Sequence, residues 1–282
     1  MWELCVGPVR IQRIVELENL TVPATWLLAN IEEFRPDLTH FEVNVQSFLI
    51  RTPDNTILVD TGCGNGRRRP GQPLFDNLQT DFLGKLRACG VDPQDIDLVI
   101  LTHLHFDHVG WNTSWVDGRG FPTFPNARYL FSRQEFEFWE HAQRVALGSE
   151  ATRQSFRDSV VPIVEAGLAR FLEDLDEIRN YDAAIGLFAL PGHTPFQFGV
   201  SITDDDRTVL IVADALHSPL QIGEPRLYNG GDIDREGALQ TRTALIRRAL
   251  ASGAILLGSH IGGMTAGRIV PTGNGPRFDF IG

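Results

Sequence analysis

Short apolar segments that end at turn-forming residues recur along most of the 282-residue chain, and they limit its fold more than any other feature. Gly, Pro, Asp or Asn bounds each of them, which is typical of β-strands separated by turns. Two pairs are joined by TPDNT and TDDDRT, tight-turn sequences that predict antiparallel hairpins. The segments are RIQRIVELE, VNVQSFLIRT, TILVD, DLVILT, ARYLFS, IGLFALPG, FGVSIT, TVLIVAD and AILLGSH.

Segments with helical periodicity follow each of the two groups into which these strands fall. Apolar residues recur at three- and four-residue spacing in residues 76–89, 133–147, 152–178 and 234–251, and Asp234 is placed to cap the last helix. This alternation predicts an α/β protein in which two sheets pack face to face with helices outside. We expect one domain over residues 1–282, with a helical insertion at about 133–180.

The charge and cysteine content exclude several classes of function. Lys and Arg total 25 against 36 Asp and Glu, a net charge of -11, which disfavours nucleic acid as a partner. The start, MWELCVGPVR, lacks a leader pattern and no apolar run reaches the length of a membrane span, so we expect a cytoplasmic protein without membrane contact. Cys5, Cys63 and Cys89 have no C-x-x-C spacing, which predicts incidental thiols rather than disulfides or a thiolate zinc site.

Titratable residues are crowded directly after the apolar run Leu98–Leu101. His103, His105 and His108, three of the eight histidines, form the pattern His-x-His-x-Asp-His with Asp107. Neutral imidazoles and a carboxylate on one loop at a strand end suit a borderline divalent metal, zinc first. The alternative is a polar loop of hydrogen-bonded histidines.

Three further residues repeat this strand-end setting. His193 lies in LPGHTP and His260 in ILLGSH, while Asp214 follows the apolar run LIVA. A carboxylate after such a run is costly to bury unless a cation pairs with it, and a metal is the simplest cation. Taken singly, they could be a turn histidine, a core histidine and a helix cap.

The chain resembles the metallo-β-lactamase fold superfamily of metallohydrolases. Five motifs carry the resemblance, in this order along the chain: Asp60 in VDTG, THLHFDH, His193, Asp214 and His260. The resemblance implies an αββα sandwich of two mixed β-sheets flanked by helices. It implies that His103, His105 and His193 hold one metal, that Asp107, His108 and His260 hold a second, and that Asp214 bridges them. Asp60 would not bind a metal itself but would orient the imidazole of a metal ligand.

Among the branches of the superfamily, the lactonases and the aryl or organophosphate ester hydrolases are the most similar. Thiolate-type β-lactamases have Cys where this chain has Asp214, and the helical extension of glyoxalase II-like enzymes does not fit into the short segment after His260. The acidic chain disfavours the tRNA-processing nucleases. DALHSPLQ, around Asp214, looks closest to the methyl parathion hydrolase-like group.

The chemistry that this resemblance implies is hydrolysis of a small lactone, aryl ester or phosphotriester by a hydroxide that bridges two divalent ions. Zinc is the first choice of ion, with manganese, cobalt or iron as alternatives. Asp107 or a metal-bound water would pass a proton to the leaving group. Two alternative functions stay open: that of an iron-dependent oxidoreductase similar to the persulfide dioxygenases, and that of a metal-stabilised binding protein without catalysis.

The surroundings of the ligands give weaker predictions. His217 follows Asp214 by three positions, so a helical turn there would direct it toward the metals and let it contact substrate. Trp111 is a candidate for the pocket lining, whereas Phe136 and Trp139, at helical spacing, more often mark a core or homodimer contact. The Gly- and Arg-rich loop 62–73 is expected to be solvated rather than an anion site.

Overall fold

The computed structural model describes residues 2–173, 184–205, 207–263 and 265–281, and the chain divides into two compact units. The first unit consists of residues 1–16 and 45–174, and the second of residues 17–44 and 175–282. Each unit contains a mixed β-sheet and helices, so both sheets expected from the sequence are present. Within the described ranges, no helix combines the length and the apolar composition that crossing a membrane requires.

The sheet of the first unit has seven strands in the order β1-β2-β3-β4-β5-β8-β9, and β2 and β3 extend into the second unit. β4, β5, β8 and β9 are parallel neighbours, whereas β3 and β4 form the antiparallel hairpin predicted at TPDNT. β4 and β5 are apolar and almost wholly buried, as parallel strands usually are. The strands are β1 Glu3–Val6, β2 Val9–Pro23, β3 His40–Arg51, β4 Thr56–Val59, β5 Leu98–Ile100, β8 Arg128–Ser132 and β9 Ala169–Leu172, with a separate ribbon of β6 Thr113–Val116 and β7 Arg119–Pro122.

The sheet of the second unit has six strands in the order β10 to β15. β11 and β12 form the hairpin predicted at TDDDRT, and β12 pairs with β13 in parallel. Both sheets therefore contain the same arrangement, an antiparallel hairpin whose second strand has a parallel neighbour. The strands are β10 Ile185–Ala189, β11 Phe198–Thr203, β12 Thr208–Ile211, β13 Ile255–Leu257, β14 Ala266–Thr272 and β15 Gly275–Phe280.

Eight α-helices lie within the described residues. The predicted cap of the last long helix is confirmed, since the Asp234 side chain accepts a hydrogen bond from the Gly237 amide at 3.0 Å. The helices are α1 Ala24–Leu27, α2 Phe82–Ala88, α3 Phe106–Val109, α4 Arg133–Val145, α5 Glu150–Ser155, α6 Val161–Glu165, α7 Leu220–Gly223 and α8 Arg235–Ser252, with a π-helical turn at Phe156–Val160.

Two of the helix predictions were too long. The segment 76–89 is helical only from Phe82, because Asn77 has a left-handed backbone with φ of 56°. The segment 152–178 was predicted as one helix, but Gly167, with φ of 69°, ends the helical part and β9 follows. Residues 174–178 of that prediction, and 174–180 of the predicted insertion, lie outside the described residues.

Each unit has its own apolar core. In the first, β4, β5 and β8 pack with Phe82, Trp139 and Phe156 from the helices. In the second, Leu245, Ile246 and Ala249 of α8 pack against the strands β10, β12 and β13. These cores fix the strands whose ends carry the polar residues predicted from the sequence.

Candidate functional site

In the first unit, the polar residues lie at the carboxyl ends of β4 and β5. Asp60 follows β4, and its amide donates to the carbonyl oxygen of Ile100 in β5 at 2.8 Å. The segment containing His103, His105 and His108 follows β5. Because parallel neighbours end at the same edge of a sheet, both segments meet there.

Asp60 is buried, and its carboxylate organises the start of the histidine segment. It accepts hydrogen bonds from the Thr102 amide at 2.8 Å and from the Thr102 hydroxyl at 2.9 Å. It also lies 2.8 Å from Nδ1 of His108. An acceptor at Nδ1 keeps the proton there, so Nε2 carries the lone pair with which a histidine binds a metal.

The other members of this set lie close to His108. Nε2 of His103 is 3.1 Å from Nδ1 of His105, and the ring centroids of His103 and His108 are 4.1 Å apart. Asp107 and His108 follow one another in the short helix α3, and a carboxylate oxygen of Asp107 lies 4.0 Å from Nε2 of His108. The first unit therefore gathers three imidazoles and a carboxylate, the donor types that bind zinc.

Two loops of the first unit are joined through their backbones next to these residues. The Thr61 amide donates to the carbonyl oxygen of His108 and the Gly110 amide to that of Gly62, both at 2.7 Å. A side chain at position 110 would overlap the carbonyl group of Cys63, so only glycine permits this approach. The pairing fixes the end of α3 relative to Asp60.

In the second unit, Asp214 lies one turn beyond β12 and His260 beyond β13, which again is the edge where parallel neighbours end. One carboxylate oxygen of Asp214 is 3.3 Å from Nε2 of His193 and 3.1 Å from Nε2 of His217. The other is 3.3 Å from Nε2 of His260. Three imidazoles predicted from the sequence are therefore brought together around one buried carboxylate, that of Asp214.

The opposite nitrogens of two of these rings have acceptors of their own. Nδ1 of His193 is 2.9 Å from a carboxylate oxygen of Asp232, and Nδ1 of His260 is 3.0 Å from the carbonyl oxygen of Asn44. With the protons on Nδ1, both Nε2 lone pairs face the Asp214 carboxylate, an arrangement that repels itself in a buried site without a cation. The residues of the second unit therefore fit a metal ion.

His217 differs from His193 and His260. Burial lowers the pKa of its imidazole, so the ring is neutral. Within the described residues no acceptor lies against its Nδ1, which places the single proton on Nε2, as a donor to Asp214. The ring stacks on His260 at a centroid distance of 5.6 Å. His217 thus points at the same carboxylate as the ligand candidates, but as a hydrogen-bond donor.

Sequence reasoning missed several buried polar residues. Asp232, which orients His193, lies in NGGDID, where no strand end or motif marks it. Glu16 is buried as well and accepts a hydrogen bond from Nε1 of Trp111 at 2.7 Å. Trp111, the predicted pocket residue, is itself buried in the first core and stacks on Phe82.

The loop 62–73 is less solvated than predicted. The guanidinium of Arg69 is buried and pairs with the Asp158 carboxylate at 2.9 Å. Arg67 is buried too and donates to the Thr113 carbonyl oxygen and hydroxyl. Both arginines hold the loop inward through these contacts, while Arg68 between them is exposed. Phe136 and Trp139 pack in or against the first core, as expected from their helical spacing.

The family model described as "Metallo-beta-lactamase superfamily" matches residues 40–260. The chain belongs to the metallo-beta-lactamase superfamily. The metallo-beta-lactamase fold and the prediction of a metal-dependent hydrolase are thereby confirmed.

Relatives of this superfamily member include two lactonases. The chain is 26% identical over 235 residues to the N-acyl homoserine lactonase AiiB of Agrobacterium fabrum, covering 75% of this chain and 79% of that protein. It is 26% identical over 191 residues to an N-acyl homoserine lactonase of a Bacillus species, covering 63% and 66%.

Two solved structures of the metallo-beta-lactamase fold match the entire chain. AidC, a dizinc quorum-quenching lactonase in complex with a product, has a TM-score of 0.80 at 22% identity, covering 100% of this chain and 97% of that one. The hydrolase AbOPH has a TM-score of 0.79 at 20% identity, with the same coverage.

Proposed function

We propose that this protein is a dinuclear metal-dependent hydrolase that opens small lactones, with aryl esters and phosphotriesters as further substrates. The observation that carries the proposal is the group of imidazoles around Asp214, in which two Nε2 lone pairs face a buried carboxylate. Such a group is stable around a cation and unfavourable without one.

Seven residues are the proposed metal ligands. His103, His105 and His193 are assigned to one ion, Asp107, His108 and His260 to the other, and Asp214 to both. The assignment follows the order of the motifs in the sequence and membership of the superfamily. The histidine and carboxylate donors favour zinc over softer or harder ions.

When bound, divalent ions of this kind lower the pKa of water and polarise a carbonyl or phosphoryl oxygen. The side chains of this protein would then orient the reaction. Asp60 and Asp232 hold the Nδ1 protons of His108 and His193 and so fix both rings. Asp107 remains partly exposed, at 13% of its side chain, which suits transfer of a proton to the departing alkoxide or phenolate.

The substrate class rests on the relatives. Proteins named N-acyl homoserine lactonases are among them, and the net charge of -11 disfavours polyanionic substrates. A cytoplasmic location is part of the proposal. Formation of a homodimer also stays a prediction, which size-exclusion chromatography would test.

Elemental analysis and a substrate panel test this proposal. Protein purified without added metal should contain about two ions per chain, and the variant Asp214→Ala should lose at least one of them together with most of the activity. Asp54→Ala, in the exposed turn between β3 and β4, is the matched control and should behave as the unmodified protein. One ion per chain, unchanged in Asp214→Ala, would contradict a dinuclear centre.

The panel compares initial rates on an N-acyl homoserine lactone, an aryl ester, an aryl phosphotriester and a penicillin. We expect the lactone to be the best substrate and penicillin the poorest. A penicillin preference would refute the substrate class. Oxygen consumption with a persulfide, in a protein that holds a single iron, would instead support the dioxygenase alternative.

A further inference from the structure

Arg242 is a buried cation in the middle of α8, with 1% of its surface exposed. Its guanidinium reaches three separate segments of the second unit. Nε donates to the carbonyl oxygen of Ala215 at 3.1 Å, one terminal nitrogen donates to that of Pro225 at 2.7 Å, and the other lies 3.5 Å from the Asp232 carboxylate.

Two of these contacts lead directly to proposed metal ligands. Ala215 is the residue after Asp214, in a short turn where Ala213 has a left-handed backbone with φ of 45°. A non-glycine residue in that region is strained, so the turn needs support from its surroundings. The hydrogen bond from Arg242 to Ala215 provides such support on the carboxyl side of Asp214.

The contact between Arg242 and Asp232 acts on His193. Asp232 holds Nδ1 of His193 with one carboxylate oxygen, while its other oxygen accepts from the Asn229 amide at 3.1 Å and faces Arg242. A buried carboxylate between an imidazole and a guanidinium is held in place from both sides. The position of the His193 ring therefore depends on α8 through Asp232.

We propose that Arg242 is a positioning residue that sets Asp214 and His193 together, so that α8 controls the metal affinity of the second unit. The inference rests on the proposed function, because it assumes that these two residues bind metal. The planar guanidinium is essential to it, because three different nitrogen atoms make the three contacts, whereas an ammonium group has a single nitrogen.

The test compares Arg242→Lys and Arg242→Met with Arg248→Met as a matched control. Arg248 lies on the same helix, but its guanidinium rests on the ring of Phe188, 4.5 Å from the centroid. Zinc affinity is measured by competition with a chelator. Both Arg242 variants should bind one zinc ion about 10- to 100-fold more weakly, the usual effect of removing a residue that orients a ligand, and the control should not change.

Thermal unfolding of each variant with and without zinc separates positioning from ordinary packing. If Arg242 positions the ligands, the increase in Tm on adding zinc becomes smaller in its variants. If it only stabilises the fold, apo and zinc-bound Tm values fall equally and the affinity is unchanged, which would overturn the proposal.

Asp232→Asn provides a second route should the Arg242 variants fail to fold. It keeps the size of the side chain while removing the charge that faces Arg242, and it should weaken zinc binding by a similar factor. Zinc affinity equal to that of the wild type in this variant would show that Asp232 does not position His193 for metal binding. A wild-type protein that binds no zinc would refute the proposed function instead, so the two failures are distinct.

Discussion

The buried carboxylate of Glu16 offers a quantitative test of how the first unit is held together. One of its oxygens accepts from the Cys63 amide at 2.5 Å, and the other accepts from Nε1 of Trp111 at 2.7 Å and from the Thr80 hydroxyl at 2.9 Å. In Glu16→Gln, the amide oxygen can serve Trp111 and Thr80, but the NH2 group then meets the Cys63 N–H. An unsatisfied buried N–H costs about 1–3 kcal/mol, which is the expected loss at low pH.

The loss of unfolding free energy in Glu16→Gln should become smaller as the pH rises. Burial raises the pKa of Glu16 above its ordinary value of 4.5, although the hydrogen bonds from Cys63 and Trp111 oppose the shift. The folded protein therefore binds more protons than the unfolded chain above pH 4.5, so the free energy of unfolding of the wild type falls as the pH rises through the folded pKa. Glu16→Gln lacks this titrating group, so the difference in unfolding free energy between the wild type and the variant becomes smaller as the pH rises.

The assay is urea unfolding of the wild type and Glu16→Gln from about pH 4 to about pH 8, with the difference in unfolding free energy as the readout. Glu18→Gln is the control, because Glu18 is exposed two residues further along β2. It should differ from the wild type by less than about 0.5 kcal/mol throughout. A Glu16→Gln difference that widens with pH would refute the reasoning.

Three further predictions concern buried contacts of the two units. Asp158→Ala leaves the guanidinium of Arg69 buried and unpaired, so it should lower the free energy of unfolding by about 3–5 kcal/mol in urea titrations, and a loss below about 1 kcal/mol would contradict this. Gly110→Ala forces two loops apart and should cost about 1–3 kcal/mol, whereas Gly273→Ala, at an open position, should be neutral in the same titration. His217→Leu should keep its metal content by elemental analysis but lower kcat/KM for a lactone at least about tenfold, about 1.4 kcal/mol, and loss of an ion would make His217 a ligand.

The sequence predicted the strand ends well because the local pattern and the tertiary requirement agree there. TILV and LVI are apolar because they are buried parallel strands, and the polar residues that follow lie at the edge where those strands end. That relation predicts Asp60, His103, Asp214 and His260 at sheet edges, where the structure has them.

The parts that could not be predicted depend on contacts between residues far apart in the chain. β9 looked helical because its apolar residues continue the spacing of the preceding helix, and only pairing with β8 makes it a strand. Asp232 and Glu16 carry no local signal, since an acidic residue in a loop or strand is usually exposed. Their burial follows from partners such as His193, 39 residues earlier, and Trp111, 95 residues later.

The left-handed backbone at Asp60 restricts which amino acids that position tolerates during evolution or laboratory selection. At φ of 58°, most side chains cost roughly 1–2 kcal/mol. Glycine would relieve the backbone but remove the carboxylate, and asparagine would place an NH2 group where one of the two oxygens now accepts from Thr102 or His108. Backbone and side chain thus impose independent demands that only aspartate meets in full. A mutant library intended to change substrate preference should leave this codon untouched.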